Sequence, residues 1–269
     1  MKYFISLTFL SSTYLLTLIL GLNTAAFILP LMYPPEGQEQ VIAPVVSNPE
    51  SMGSSLQLFL YIIIGTAVML ILIKKKLNII IQAAVGFSLL IGTLFTYSAI
   101  FGDLALLLTP LSLILAYLKR DTIVANNMLL TFGIAGIGSL LGASLGILPA
   151  LALILIMSAY DLIAVFVTKH MVTLAKESQG KFTLMFTIPV GDRAIHLGAG
   201  DIAIPLTFSA SVLAAKGAGY AIPTALGGLL GLIALFYYIL GREKVTLPAL
   251  PPITAGLIFG YALCLLTLG

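Results

Sequence analysis

Two aspartates stand where a charge is costly. Asp161 lies in Ser158-Ala159-Tyr160-Asp161-Leu162-Ile163-Ala164, and Asp201 in Leu197-Gly198-Ala199-Gly200-Asp201-Ile202-Ala203, each within an apolar run. A carboxylate inside a membrane-spanning segment is by default a functional group with a partner to be found. Two carboxyls brought close in a low-dielectric place cannot both ionise readily, so one keeps a proton while the other is a base. Such a pair can activate a water for attack on an amide carbonyl and protonate the leaving group. Its titration belongs to the pair, and neither residue is fixed as acid or base. The bland alternative for either aspartate alone is a buried, hydrogen-bonded packing group. A rival functional reading is a proton- or ion-coupled transporter or channel that uses the same carboxylates.

The elements that carry them are apolar helices. Of 269 residues, 60% are hydrophobic and only 9% charged, against about 25% charged in a soluble domain. The chain is therefore expected to be an all-α membrane protein, a single polytopic domain over 1–269. Spans of suitable length fall at about 3–29, 56–73, 77–101, 103–118, 124–145, 148–168, 195–215, 220–240 and 248–268, with a cytoplasmic loop over 169–194 between the sixth and seventh. Only Gly102-Asp103 separates the third span from the fourth. The first stretch is too long for a signal peptide and lacks a clear small-x-small cleavage site. With nine spans, twelve of the 13 basic residues fall on one side and Lys216 alone on the other. The positive-inside rule then places the N-terminus in the cytoplasm and the C-terminus outside. Asp161 precedes Lys169 by eight residues and Asp201 follows Arg193 by eight. In antiparallel helical neighbours both would lie roughly 12 Å inside the cytoplasmic end.

Other motifs have simpler meanings. Gly138, Gly142 and Gly146 recur at four-residue spacing on the fifth span, as do Gly227 and Gly231 on the eighth, and small residues so spaced allow helices to pack closely. Gly142-Ala143-Ser144-Leu145-Gly146 matches the G-x-S-x-G serine pattern, but the strand-turn-helix context and a nearby histidine are missing. Single Cys264 excludes an internal disulfide and a cysteine metal cluster. No H-E-x-x-H occurs, and no metal or other cofactor is called for. The net charge of +3, spread over short loops, does not suggest a nucleic-acid partner. Gly198 and Gly200 beside Asp201 permit close backbone approach and non-helical geometry. Such backbone is tolerated at membrane depth only where protein or a wet cavity surrounds it. Pro248-Ala249-Leu250-Pro251-Pro252 opens the last span from the same side, and its prolines are expected to prevent a regular helix start; the plainer reading is a set of first-turn prolines.

Taken together and in this order, Tyr160-Asp161, Gly198-Ala199-Gly200-Asp201 and Pro248-Ala249-Leu250 resemble the YD, GxGD and PAL motifs of the presenilin and signal peptide peptidase family. The resemblance covers the nine-span plan, with the motifs confined to about the last 110 residues. It implies an intramembrane aspartyl protease with Asp161 and Asp201 catalytic. Tyr160, Leu197, Gly198, Ala199, Gly200, Pro248, Ala249 and Leu250 are assigned to substrate binding around them. The N-inside orientation is similar to presenilins rather than to signal peptide peptidases. The compact chain resembles an archaeal presenilin homologue, which implies the plasma membrane of a prokaryote. The short loop between spans six and seven departs from eukaryotic presenilins and puts maturation by self-cleavage in doubt. The implied partners are transmembrane peptide or membrane-protein substrates and the bilayer. A homo-oligomer is compatible with the sequence, and no obligate partner subunit is implied.

A helical substrate must unwind before water reaches its amides, and lipid offers the freed amides no partners. The β-prone segment Phe182 to Val190, or the Pro248 segment, is expected to pair with substrate as an added strand.

Overall fold

The structure is a computed structural model that describes residues 2–119, 122–168, 184–190, 193–240 and 247–268. Its helices are α1 (Lys2–Met32), α2 (Met52–Lys74), α3 (Asn78–Phe101), α4 (Ala105–Leu118), α5 (Ile123–Ala143), α6 (Ile147–Ile163), α7 (Gly200–Lys216), α8 (Ala218–Leu240) and α9 (Leu250–Leu268), with strands β1 (Met185–Val190) and β2 (Arg193–Gly198) before α7. Among the described residues, seven helical stretches are long and apolar enough to cross a membrane. One of them, Asn78–Leu118, has 41 residues, about twice what a bilayer requires. It is broken where expected, at Gly102, whose φ of 58° is a left-handed geometry that glycine adopts without strain. Beyond this reversal α4 packs back on α3.

The long first helix is a core element rather than a peripheral one. Tyr14, Ala25 and Ile28 are fully buried, and α1 packs against α3, α5, α7, α8 and β1. Helix α7 is central too: Ile204 to Val212 are all buried. A helix enclosed on every side must satisfy its own polar groups. Thr207 and Ser209 donate to carbonyls one turn back, and Ser211 Oγ donates to Leu145 O at 2.8 Å.

Glycines set the tightest approaches. Added Cβ atoms at Gly92 and Gly136 would strike backbone across the α3–α5 contact, at Gly142 the backbone of α7, and at Gly227 and Gly231 the backbone of α9. Gly146 does not continue this stripe. Helix α5 ends at Ala143, and Gly146 caps α6 in extended conformation beside Glu50. Ser144 is likewise structural: it is fully buried, donates to Leu140 O and accepts from Val45 N–H.

The all-α expectation needs a correction. The seventh span was expected to start at 195, but the chain there is β2, paired antiparallel with β1, and the helix begins only at Gly200. The reason is local: Ile195 and Leu197 turn inward while Ala194 and His196 are exposed, as on a strand, and Gly198 and Gly200 weaken helix at its start. Helix α2 begins at Met52, capped by Ser51 Oγ, which accepts from Gly53 N–H at 3.1 Å. The preceding stretch is irregular, as its Pro and Gly content suggests. Of the loop expected over 169–194, residues 169–183 lie outside the described residues, as do Arg120 and the approach to α9 from Arg242 to Thr246.

Candidate active site

Asp161 sits near the end of α6, where the helix loosens into a π-helical turn, Ala164–Thr168; such turns are frequent at functional sites. Its carboxylate is 6% exposed, and Oδ2 accepts the backbone N–H of Leu250 at 3.1 Å. The N–H of Ala249 is also directed at it. This explains the proline run. Helix α9 starts at Leu250 with Pro251 and Pro252 inside its first turn, so the expectation of an irregular start is corrected. Proline lacks the N–H that a first turn leaves unpaired in any case. The donors left at this helix end converge on one anion, as helix N-termini favour. Pro248, Ala249 and Leu250 are all buried.

Asp201 lies in the first turn of α7, and its Oδ2 accepts the N–H of Gly198 at 3.1 Å. An added Cβ at Gly198 would lie 3.1 Å from that same oxygen, so glycine there gives the carboxylate its seat. Gly200 faces open space, which is room beside the carboxylate rather than the backbone contact expected of it. Ala199 N–H donates to Leu184 O at 2.9 Å and closes the hairpin.

Helices α6 and α7 pack together, so the two aspartates stand on neighbouring elements. A cavity of about 70 Å³ adjoins Asp201, lined also by Leu10, Ile188, His196, Leu197, Phe236 and Ala249. It has room for ordered water. Of the residues assigned to the site, Asp161, Asp201, Leu197, Gly198, Ala249 and Leu250 are thus tied to the carboxylates or the cavity, while Pro248 is buried beside them in sequence. Tyr160 points elsewhere, its ring meeting Phe59 of α2 edge-on at 6.3 Å.

The hairpin has one occupied edge and one open one. Ala199 N–H bonding to Leu184 O fixes the alternation in the observed register. The backbone groups of Met185, Thr187 and Pro189 then face away from β2, and those of Ala194, His196 and Gly198 face away from β1. On the β1 side the outward groups of Thr187 and the carbonyls of Met185 and Pro189 are met from α5 and α1. Asn127 of α5 exchanges two bonds with Thr187, at 3.0 and 2.8 Å, Asn126 donates to Met185 O, and Ser6 donates to Pro189 O. Pro189 falls where no ladder N–H is needed. β1 is therefore unavailable to an added strand, which corrects the expectation for the part of Phe182 to Val190 that is described; Phe182 and Thr183 lie outside the described residues. Outward on β2, only Gly198 N–H is engaged, by Asp201, among the described residues. Asn127 was missed in the sequence. Its only signal was a pair of adjacent amides, Asn126-Asn127, about one turn into an apolar helix.

Fold and site together define a polytopic membrane protein built around a carboxylate pair. The family model for signal-peptide peptidase, presenilin aspartyl protease matches residues 18–195, a stretch that includes Asp161 and stops short of Asp201 and Pro248. A solved structure described as a presenilin family intramembrane aspartate protease in P2 space group is 26% identical, with a TM-score of 0.69 over 95% of this chain and 97% of the other. A second, described as the same kind of protease in C222 space group, is similar in fold, at 23% identity, a TM-score of 0.70 and coverage of 95% and 98%. No curated protein sequence matches. The chain belongs to the signal-peptide peptidase and presenilin aspartyl protease family, and it is a membrane-embedded peptide hydrolase.

Proposed function

We propose that Asp161 and Asp201 are the catalytic dyad and that the enzyme hydrolyses peptide bonds within transmembrane segments of other membrane proteins. The observation that carries this reading is how the two carboxylates are held. Each sits on its own helix, Asp161 accepts the N–H of Leu250 and Asp201 that of Gly198, and a cavity able to take water lies beside Asp201. With one proton shared by the pair, the ionised carboxylate removes a proton from water as its oxygen attacks the scissile carbonyl carbon. The protonated carboxyl gives its proton to the carbonyl oxygen. Collapse of the resulting diol breaks the C–N bond, with a proton returned to the leaving amine.

Substrate reaches this site as an unwound segment whose amides need partners. The open edge of β2, at Ala194 and His196, meets that need and runs directly into Gly198 and Asp201. Leu197, Ala199, Gly200 and Pro248 form the walls along which the segment lies. Tyr160 acts through the position of Asp161 in the chain rather than through its ring. The path we favour has nine spans, with the N-terminus in the cytoplasm and the C-terminus outside, as the basic residues indicate.

Cleavage of a model transmembrane peptide in detergent, followed by product mass spectrometry, tests the dyad. Asp161→Asn and Asp201→Asn should each lower turnover by at least about 1,000-fold, as for groups that act as a unit, while the protein stays folded. Full activity in either variant would falsify the assignment. Flux in liposomes that depends on the aspartates, without peptide products, would favour a carrier instead.

A further inference from the structure

Tyr14, in the middle of α1, is fully buried and its hydroxyl has no hydrogen-bond partner among the described residues. Buried tyrosine hydroxyls usually find one. Its position is informative. Leu10, one turn earlier on the same helix face, lines the cavity with Asp201 and Ala249. The hydroxyl lies where α1 meets α8 and α9: an added Cβ at Gly228 would be 3.1 Å from Tyr14 Oη and 2.9 Å from Leu257 Cδ2. One turn from Gly228 along α8, Leu232 is again a cavity wall. The hydroxyl therefore stands about one turn behind the cavity that Asp201 lines. At Asp201, Gly198 N–H engages Oδ2, and no donor to Oδ1 is seen among the described residues.

The geometry points to Tyr14 as a positioning residue whose hydroxyl donates to Asp201 when substrate is engaged and fixes the orientation of that carboxylate for the chemical step. The inference rests on Asp201 being catalytic. If Tyr14 only filled volume, its hydroxyl would be a buried group with nothing to offset its desolvation, and phenylalanine would serve better. A second rival is a bond to Thr254 Oγ1 of α9, which is also buried and unpartnered.

The test uses the full chain in detergent with a model transmembrane peptide, comparing Tyr14→Phe, Thr254→Val and Asp201→Asn. For Tyr14→Phe, kcat should fall about tenfold or more, the loss of an interaction made in the transition state, with KM within about twofold and Tm unchanged or raised. Thr254→Val should keep its kcat. A kcat for Tyr14→Phe within about twofold of the parent would overturn the proposal, as would parallel losses in kcat, KM and Tm, or the same kcat loss in Thr254→Val. The Asp201→Asn arm separates the two readings: if it is active, the dyad assignment fails; if it is dead and Tyr14→Phe is normal, only the role of Tyr14 fails.

Discussion

Backbone, not side chains, orients Asp161. The N–H of Leu250 donates to it and no described side chain does. Hydrogen bonds to charged groups contribute about 1.5–3 kcal/mol, and a lost orientation in catalysis is felt at that scale. Leu250→Pro removes the N–H at a helical position where proline is tolerated, and Leu250→Ala keeps it while losing the same apolar side chain. Peptide cleavage by the proline variant should be at least about tenfold slower than by the alanine variant, with both folded. Equal rates would show that the N–H does not matter. This contact was only half legible in the sequence. Asp161 and Asp201 declare themselves as charges in apolar runs. Pro248 to Pro252 could be read as missing donors, but which anion receives the remaining ones is a tertiary fact 89 residues away.

At the scale of elements, the proposed function divides the hairpin's two edges between stability and recognition. α5 and α1 close the β1 side with amide and hydroxyl groups that imitate a third strand, and the β2 side stays open. An exposed edge is a template for another chain. Helix would have served the membrane as well as strand here, yet helix would have paired every amide internally and left none for substrate. The sequence hid this division because Arg193 to Ala203 joins a strand to a helix within one largely apolar stretch, and a short apolar run does not distinguish the two. The β-prone character of Met185 to Val190 was readable; the edge it leaves free was not, since that depends on Asn127 lying across from Thr187. The alternation of the ladder supplies a test. Ala194→Pro removes an outward N–H and leaves the β1–β2 ladder whole, whereas Ile195→Pro removes an inward one. Cleavage of the transmembrane peptide should drop at least about tenfold in Ala194→Pro, the loss expected for one or two hydrogen bonds at an edge that bound substrate covers, with Tm close to that of the parent. Ile195→Pro should lower Tm as well. Unchanged cleavage in Ala194→Pro would mean that substrate does not pair at this edge.

Across the whole molecule, glycine contacts and charge placement carry the architecture. Lipid gives helices little hydrophobic reason to associate, so close packing and interhelical hydrogen bonds must hold them. The α8–α9 seam at Gly227, Gly231 and Gly256 sets the height of α9, and with it the height of the Leu250 N–H beside Asp161. The α5–α7 contact at Gly142 does the same for the helix that carries Asp201. The four-residue spacing made most of these seams legible, but not their partners, and Gly146 shows the limit, since a spacing continues across a helix end that it cannot see.

The direction in which the bundle crosses the membrane follows from the cost of moving charge. Lys75 and Lys119 lie at one side in the nine-span path, and Gln38 and Lys216 at the other, all four exposed. Because twelve of the 13 basic residues share the first side, retaining them in the cytoplasm is the insertion that demands least translocated positive charge. Cys264 is buried in α9, so Cys264→Ser gives a background free of thiols in which single cysteines report topology. In intact cells, a membrane-impermeant maleimide should label Gln38→Cys and Lys216→Cys, and should reach Lys75→Cys and Lys119→Cys only after permeabilisation. The opposite pattern would invert the protein and put the β2 edge outside. Labelling of Gln38 and Lys119 from the same side would break the path between α1 and α5. Either result would require the dyad to be approached from a different compartment than the one proposed, because the hairpin and the opening of α9 lie at the same end of the bundle as the loop after α4.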